Sequence, residues 1–147
     1  SSGMASRYTE YSTRQGKNGY EVEHIWANHP ERHTDDFSHP ADFQEYRNHI
    51  GGLLLLPKSF NASYNDLPYA EKRPHYLKQN LLAQSLCSES YEHHPGFKRF
   101  IRESGLQFVP HSQFTKVDLD ARHELYRSIA ETLWHPQRLD DEVQAAA

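Results

Sequence analysis

The sequence predicts an α+β fold, with short strands in the N-terminal half of the chain and helices in the C-terminal half. Polar and apolar residues alternate in part over residues 20–25, which is typical of a short strand. Four consecutive leucines lie between a Gly-Gly pair and a proline within residues 51–57, which indicates a second, buried strand. Leu125, Ile129 and Leu133 recur at the four-residue spacing of one helix face, which predicts a long helix near the C-terminus.

The other elements are predicted from turn and capping signals. Residues 4–18 are polar and are interpreted as a lead-in, and residues 27–41, rich in His, Pro and Asp, predict a long loop. A helix begins near Phe60 with Ser59 as its N-cap, and Pro74 must lie in a first turn or at a kink. The other helices that we expect cover residues 41–48, 69–86, 95–103 and 117–133.

Length and composition favour one globular domain. A chain of 147 residues suits a single core, which we place at 18–136, with 1–17 as a tag remnant and lead-in and 137–147 as a C-terminal tail. Apolar residues make up only 36%, but nine Tyr, seven Phe and two Trp supply core volume. The net charge of −4 argues mildly against nucleic-acid binding, because DNA-binding domains usually show a basic balance or patch.

Cysteine usage and hydropathy bear on the compartment. The single cysteine, Cys87, allows no disulfide framework and no Cys-based zinc site, and we expect it to be a small buried residue. The longest apolar run, residues 53–56, is far shorter than the roughly 20 residues that cross a bilayer. We see no signal peptide and no lipidation motif. The sequence therefore predicts a cytoplasmic protein with no membrane partner.

Three features follow one another in an order that suggests phosphodiester hydrolysis. The pair Glu23-His24 ends the first strand, Gly51-Gly52 opens the second, and Asn61 starts the next helix. Cleaving a phosphodiester requires a base to activate water and a divalent cation to stabilise charge on the phosphate. A neutral His suits the first role near neutral pH, and carboxylate and amide oxygens suit Mg²⁺ or Mn²⁺.

The residues around these features resemble a known family. The resemblance rests on residues 22–25 (VEHI), 50–61 (IGGLLLLPKSFN), Asn65, Pro68-Tyr69 and Lys72. This pattern is similar to an HNH endonuclease family found as the C-terminal domain of modification-dependent, Type IV-like bacterial restriction enzymes (GmrSD-type) and of phosphorothioate-sensing anti-phage nucleases. The resemblance covers about residues 18–136 and is strongest over 22–72.

The resemblance implies a ββα-metal core of the HNH or His-Me finger type, embedded in a mostly helical domain. Carried over by position, His24 is the general base, and Glu23 and Asn61 hold Mg²⁺ or Mn²⁺. The implied substrate is double-stranded DNA, with modified phage DNA as one form, and the implied activity is cleavage or nicking. The family further implies an upstream NTPase-like sensor domain in the same protein and a role in defence against phage.

The chain departs from the family pattern at one position. The family usually has Gly-Asn-Leu where this chain has Gly51-Gly52-Leu53, so the middle residue of the HNH motif is a glycine here. In the family that residue helps to hold the loop and orient the base. The nine-residue step from Gly52 to Asn61 matches the expected spacing, and a substitute for the missing amide is needed. The candidates are Asn48, His49 or a backbone carbonyl.

Further residues are expected to support the reaction. The resemblance suggests that Asn65 and Lys72 lie near the metal or the scissile phosphate. Lys58, Arg73 and Lys78 belong with Lys72 to the densest positive stretch of the chain, and we expect them to contact the DNA backbone. Contacts of that kind position a duplex without reading its sequence.

Other interpretations stay open beside the nuclease. The fold could be a degenerate nuclease that binds DNA or a partner without cleaving, for which Gly52 is the motive, or a helical interaction module. A structural zinc site could be drawn, without any cysteine, from His24, His29, His33 and His39. We interpret four phenylalanines as core residues rather than as a base-stacking platform: Phe97, Phe100, Phe108 and Phe114.

Overall fold

The computed structural model describes residues 8–12, 16 and 19–146 and confirms the predicted α+β class. A two-stranded antiparallel sheet lies in the N-terminal half, and helices make up most of the remainder. The strands are β1 (Tyr20–His24) and β2 (Leu53–Pro57). The helices are α1 (Tyr8–Ser12), α2 (Pro40–Arg47), α3 (Lys58–Tyr64), α4 (Tyr69–Tyr76), α5 (Leu81–Gln84), α6 (Ser88–His93), α7 (Pro95–Ser104), α8 (Lys116–Leu133) and α9 (Pro136–Ala146).

The two strands pair in a register that separates a core face from an outer face. Glu23 lies opposite Leu54 on the core face, and Val22 lies opposite Leu55 on the outer face. Glu23 and Leu54 are buried, whereas Val22 and Leu55 are exposed. Successive strand residues point to opposite sides. Because of this alternation, the last two residues of β1, Glu23 and His24, point to different sides of the sheet.

The helix that follows β2 begins earlier than predicted. α3 starts at Lys58 with Pro57 as its N-cap, so the expected N-cap at Ser59 is wrong. Pro57 has a φ of −56°, close to the helical value, and the chain turns from strand into helix without a loop. α3 therefore packs directly against both strands and brings Asn61 to β1.

The predicted helix over residues 69–86 is wrong, because the chain breaks into two helices there. Pro74 lies inside α4 and removes one amide donor from the helix, which ends two residues later at Tyr76. Asn80 then starts α5: its Oδ1 accepts a hydrogen bond from the Ala83 amide at 3.1 Å. Its Nδ2 also donates to the Leu55 carbonyl at 2.8 Å, which ties the break to the sheet.

Three helices lie where the sequence predicted none. α1 falls within the expected lead-in, α6 lies between the expected helices over 69–86 and 95–103, and α9 occupies most of the expected tail. The side chains described in α9 are all exposed, so none of them packs into the core. In α8 the predicted stripe is buried at Leu125 but 51% exposed at Leu133. The C-terminal turns of α8 therefore leave the core.

The core is built around aromatic rings, as the composition predicted. Trp26 stacks on Phe43 and donates its Nε1–H to the Phe114 carbonyl at 2.6 Å. Phe60 stacks on Tyr76, which is fully buried. The predicted core phenylalanines Phe97, Phe108 and Phe114 are buried, and Phe100 is 39% exposed.

Helix α8 packs against the Gly-Gly pair at unusually close range. The pair lies in a 3-10 turn, Ile50–Gly52, that leads into β2. A Cβ at Gly51 would lie 2.2 Å from the Leu119 carbonyl oxygen, and one at Gly52 would lie 2.9 Å from the Leu119 Cδ1. The Gly52 carbonyl accepts a hydrogen bond from the amide of Ile25, the residue after His24. Glycine here therefore lets α8 approach the turn next to β1.

In the described part of the chain, no helix combines the length and the apolar character that crossing a membrane requires.

Candidate functional site

The structure places Asn48 against the imidazole of His24. His24 lies at the end of β1, and Asn48 is the residue that caps the C-terminus of α2. The Asn48 Oδ1 lies 2.9 Å from the His24 Nε2. The Asn48 Nδ2 donates to the Gln44 carbonyl at 2.8 Å, which fixes the orientation of the amide. Since Oδ1 is an acceptor, Nε2 must carry the proton, and Nδ1 is left with the free lone pair.

The electrostatic surroundings keep His24 neutral. Burial is the main reason that the pKa of His24 lies below its ordinary value of 6.5. The hydrogen bond to Asn48 opposes this shift, and the positive charges of Arg47 and Lys72 add to it. A histidine with a lowered pKa is unprotonated near neutral pH, as a general base requires.

Glu23 lies beside His24 in sequence but points into the core. Its side chain is 1% exposed, and its Oε1 accepts a hydrogen bond from Lys72 Nζ at 2.7 Å and one from Tyr76 OH at 3.1 Å. Lys72 is itself fully buried and also donates to the His24 carbonyl at 2.9 Å. Burial lowers the pKa of Lys72, and the charge of Glu23 acts against that shift. The pair thus fixes the backbone of the residue that carries the imidazole.

Asn61 lies against β1, with one half of its amide unpaired. Its Nδ2 donates to the Val22 carbonyl at 3.2 Å and to the Glu21 carboxylate at 3.4 Å. These two acceptors determine which end of the amide is nitrogen. The Asn61 Oδ1 is buried and has no hydrogen-bond partner among the described residues. A buried carbonyl oxygen of this kind is costly unless it binds a donor or a cation.

The other predicted residues are less concentrated around His24. Lys58 forms an ion pair with Glu21 at 3.8 Å. Lys78 is exposed and lines a pocket with Tyr20 and Pro57, at the opposite end of the two-stranded sheet from His24. The structure therefore brings Lys72 to the backbone of His24 and leaves Lys58 and Lys78 toward the other end of the strands.

Two predicted residues lie on the helices after β2. Asn65 is the C-cap of α3, and its amide donates to the Asn61 carbonyl at 3.2 Å, while its side chain is exposed. Arg73 follows Lys72 in α4 and is partly buried; its carbonyl accepts a hydrogen bond from Cys87 Sγ at 3.2 Å. Cys87 is buried, as predicted.

The loop histidines have separate partners. His29 lies between two carboxylates, with Nδ1 2.6 Å from Glu31 and Nε2 2.7 Å from Asp66. His33 stacks on Phe43, and His39 accepts a hydrogen bond from the Ala41 amide at the start of α2.

Sequence reasoning missed two residues at this site, Tyr76 and Arg47. Tyr76 lies four residues after Lys72 in α4, so helical spacing puts both on one face, and that spacing is a signal that could have found it. Arg47 precedes Asn48, and its Nε donates to the Trp26 carbonyl at 2.8 Å. No motif marks Arg47, because its position depends on where α2 ends.

Comparison with known proteins gives one result. No curated protein matches the chain, and no solved structure matches it. One family model matches residues 4–129, which is most of the chain, and it describes the GmrSD restriction endonucleases, C-terminal domain. The chain therefore belongs to the family of GmrSD restriction endonuclease C-terminal domains.

Proposed function

We propose that this chain is the nuclease module of a restriction protein and hydrolyses DNA phosphodiesters with His24 as the general base. The observation that carries the proposal is the hydrogen bond between His24 Nε2 and Asn48 Oδ1. It leaves Nδ1 unprotonated, so this atom can take a proton from the attacking water. Asn48 thereby supplies the amide that the family places at the position of Gly52.

We propose that oxygens of Asn61 and Glu23 hold a hard divalent cation, Mg²⁺ or Mn²⁺, because amide and carboxylate oxygens suit such ions. Asn61 offers a buried carbonyl oxygen that has no other partner in the described chain. Both hydrogen bonds to Glu23 end on Oε1, so Oε2 is the oxygen that would bind the ion. When bound, the cation would stabilise negative charge on the phosphate and on the leaving oxygen. Lys72 and Tyr76 would hold the carboxylate in place, as hydrogen-bonded partners of metal ligands do.

Exposed or partly buried polar and basic side chains would hold the duplex. Lys58, Asn65, Arg73 and Lys78 are the residues that we propose for backbone contacts. The Debye length is about 8 Å at physiological ionic strength, so local cations can attract phosphate although the whole chain has a charge of −4. In the intact protein, an upstream NTPase-like sensor domain would direct this module to modified phage DNA.

A plasmid assay tests the proposed activity. Supercoiled plasmid is incubated with the wild-type protein in Mg²⁺, in Mn²⁺ or in EDTA, and with His24→Ala, Asn48→Ala and Asn61→Ala. We expect metal-dependent loss of supercoiled DNA in the wild type and a decrease in rate of about 10²-fold or more in each variant. His94→Ala is the matched control, because this histidine is exposed and its side chain caps no helix.

The alternative is a fold that binds DNA or a partner without cleaving it. Two observations favour it: the glycine at position 52, and the neutralisation of Glu23 by Lys72. It predicts that wild type and His24→Ala shift the mobility of a duplex equally and that neither cleaves it with metal. That result would refute the nuclease proposal for this chain.

A further inference from the structure

Arg47 places a guanidinium next to the proposed base. It is the last residue of α2 and directly precedes Asn48, whose side chain holds the imidazole of His24. Its Nε donates to the carbonyl of Trp26, two residues after His24, at 2.8 Å. The Arg47 side chain is thus anchored on the same two segments that carry His24 and Asn48.

The positive charge of Arg47 forms no ion pair among the described residues, and the carboxylate that acts on its pKa, Glu23, is already paired with Lys72. In residues 19–146, no carboxylate lies within ion-pair distance of its guanidinium, and the two terminal nitrogens make no hydrogen bond there. The side chain is partly buried, and an arginine stays protonated at any pH that the protein meets. By contrast, Lys72 is neutralised by Glu23 at 2.7 Å. The two charged groups that act on the pKa of His24, Arg47 and Lys72, are both positive, and of the two only Lys72 has a carboxylate within ion-pair distance.

A purely structural role would explain only part of this arrangement. A tie between α2 and the segment after β1 needs the Nε hydrogen bond and nothing more. The two terminal nitrogens are not among the buried side-chain atoms that lack a partner, so they reach solvent, where a bound anion would be an acceptor for both.

We propose that Arg47 binds the scissile phosphate through its two terminal nitrogens; this rests on the proposed nuclease function. The guanidinium is a planar fork whose parallel N–H groups match two oxygens of a phosphodiester. Its anchored Nε fixes the direction of the fork before substrate arrives. The phosphate gains negative charge in the transition state, so a preorganised cation beside the base stabilises that state more than the bound substrate.

Duplex binding and cleavage measured on the same variants test this contact. The variants are Arg47→Met, which keeps the length and loses the charge, and Arg47→Lys, which keeps the charge and loses the fork. Arg138→Met is the matched control, because Arg138 also donates to a backbone carbonyl, that of Thr132, but from α9. Thermal unfolding of every variant is recorded first, and Arg47→Lys provides the test if Arg47→Met does not fold.

The decisive readout is the salt dependence of duplex binding in EDTA, which needs no cleavage. The slope of log K against log salt is negative, and one lost phosphate contact makes it smaller in magnitude by about 0.9. We expect that decrease for Arg47→Met and none for Arg138→Met. With metal, we expect kcat to decrease by about 10²-fold or more for Arg47→Met and by at least about tenfold for Arg47→Lys, with KM changed far less.

Two results would overturn the proposal. An unchanged salt slope in Arg47→Met would show that the guanidinium does not contact a phosphate, even if kcat fell, because a positioning role does not alter ion release. If Arg47→Met does not fold, wild-type kcat in Arg47→Lys would overturn the proposal, because it would show that the fork is not used. Failure of the nuclease proposal would give a different result. Wild type and His24→Ala would then be equally inactive, while Arg47→Met would still change the salt slope of duplex binding.

Discussion

Replacing Lys72 by methionine should destabilise the fold more than replacing any surface lysine. Lys72 and Glu23 form an ion pair at 2.7 Å with 0% and 1% of their side chains exposed. Methionine keeps most of the length and apolar volume of lysine, so the variant removes the charge and the two hydrogen bonds that Lys72 donates. The Glu23 carboxylate would then remain buried with only Tyr76 as a donor.

The expected magnitude follows from the burial of the pair. Removing one partner of a buried ion pair costs about 3–5 kcal/mol, because the remaining charge is left uncompensated. A domain of this size has a total stability of about 5–15 kcal/mol. Lys72→Met should therefore remove a large fraction of the free energy of unfolding. The double variant Glu23→Gln/Lys72→Met should be more stable than Lys72→Met, because no buried charge remains and glutamine still accepts from Tyr76.

A second lysine–glutamate pair, whose glutamate lies on the same strand as Glu23, supplies the control. Lys58 and Glu21 lie 3.8 Å apart with 34% and 46% of their side chains exposed. An exposed pair of this kind contributes about 0–1 kcal/mol. Urea unfolding of wild type, Lys58→Met, Lys72→Met and the double variant would be followed by tryptophan fluorescence near neutral pH. Equal losses of stability in Lys58→Met and Lys72→Met would refute the reasoning from burial.

Three further predictions concern single residues. Gly52→Asn should cost about 1–3 kcal/mol in urea unfolding, because its Cβ would lie 2.9 Å from a leucine methyl of α8; wild-type stability would contradict this packing. Hydrogen bonds to Glu31 and then to Asp66 raise the pKa of His29, so the stability that these two contacts add is full below pH 6.5 and is lost as pH rises through the raised pKa. The urea midpoints of wild type and His29→Gln should therefore differ less at about pH 9 than at about pH 6, and a difference that does not change with pH would contradict this role of His29. Burial raises the pKa of Cys87 to about 11, so a thiol reagent at about pH 8 should react with it only after unfolding, and fast reaction of the folded protein would exclude this environment.

The sequence predicted those elements whose signal is local. Both strands, α2, α7 and α8 follow from alternation, glycine and proline positions, or helical periodicity, and the structure has them within a few residues of the predicted bounds. The segment 69–86 failed because its break depends on Asn80, which caps α5 and donates to the Leu55 carbonyl of β2. That second contact spans 25 residues of sequence. No pattern within one helix could predict it.

The same difference between local and distant contacts applies to the candidate site. Glu23, His24 and Asn61 were predicted because the family pattern places each of them on a strand or helix that has a local sequence signal. The partners that determine their states come from elsewhere: Lys72 lies 49 residues from Glu23 in sequence. Its position in α4 depends on the packing of three elements, so the sequence predicted Lys72 near the site but not its burial against a carboxylate.

The glycine at position 52 and the asparagine at position 48 are consequences of one packing arrangement. Helix α8 approaches the Ile50–Gly52 turn so closely that a side chain at Gly52 would meet Leu119. A side chain at that position therefore requires the buried Leu119 side chain to shift. Asn48 lies four residues earlier at the end of α2, is exposed, and reaches the imidazole with an amide oriented by the helix carbonyl of Gln44. The proposed general base requires an acceptor at His24 Nε2, and Asn48 delivers one from another backbone position. On the proposed function, the absence of the motif asparagine at position 52 is therefore weak grounds for predicting inactivity.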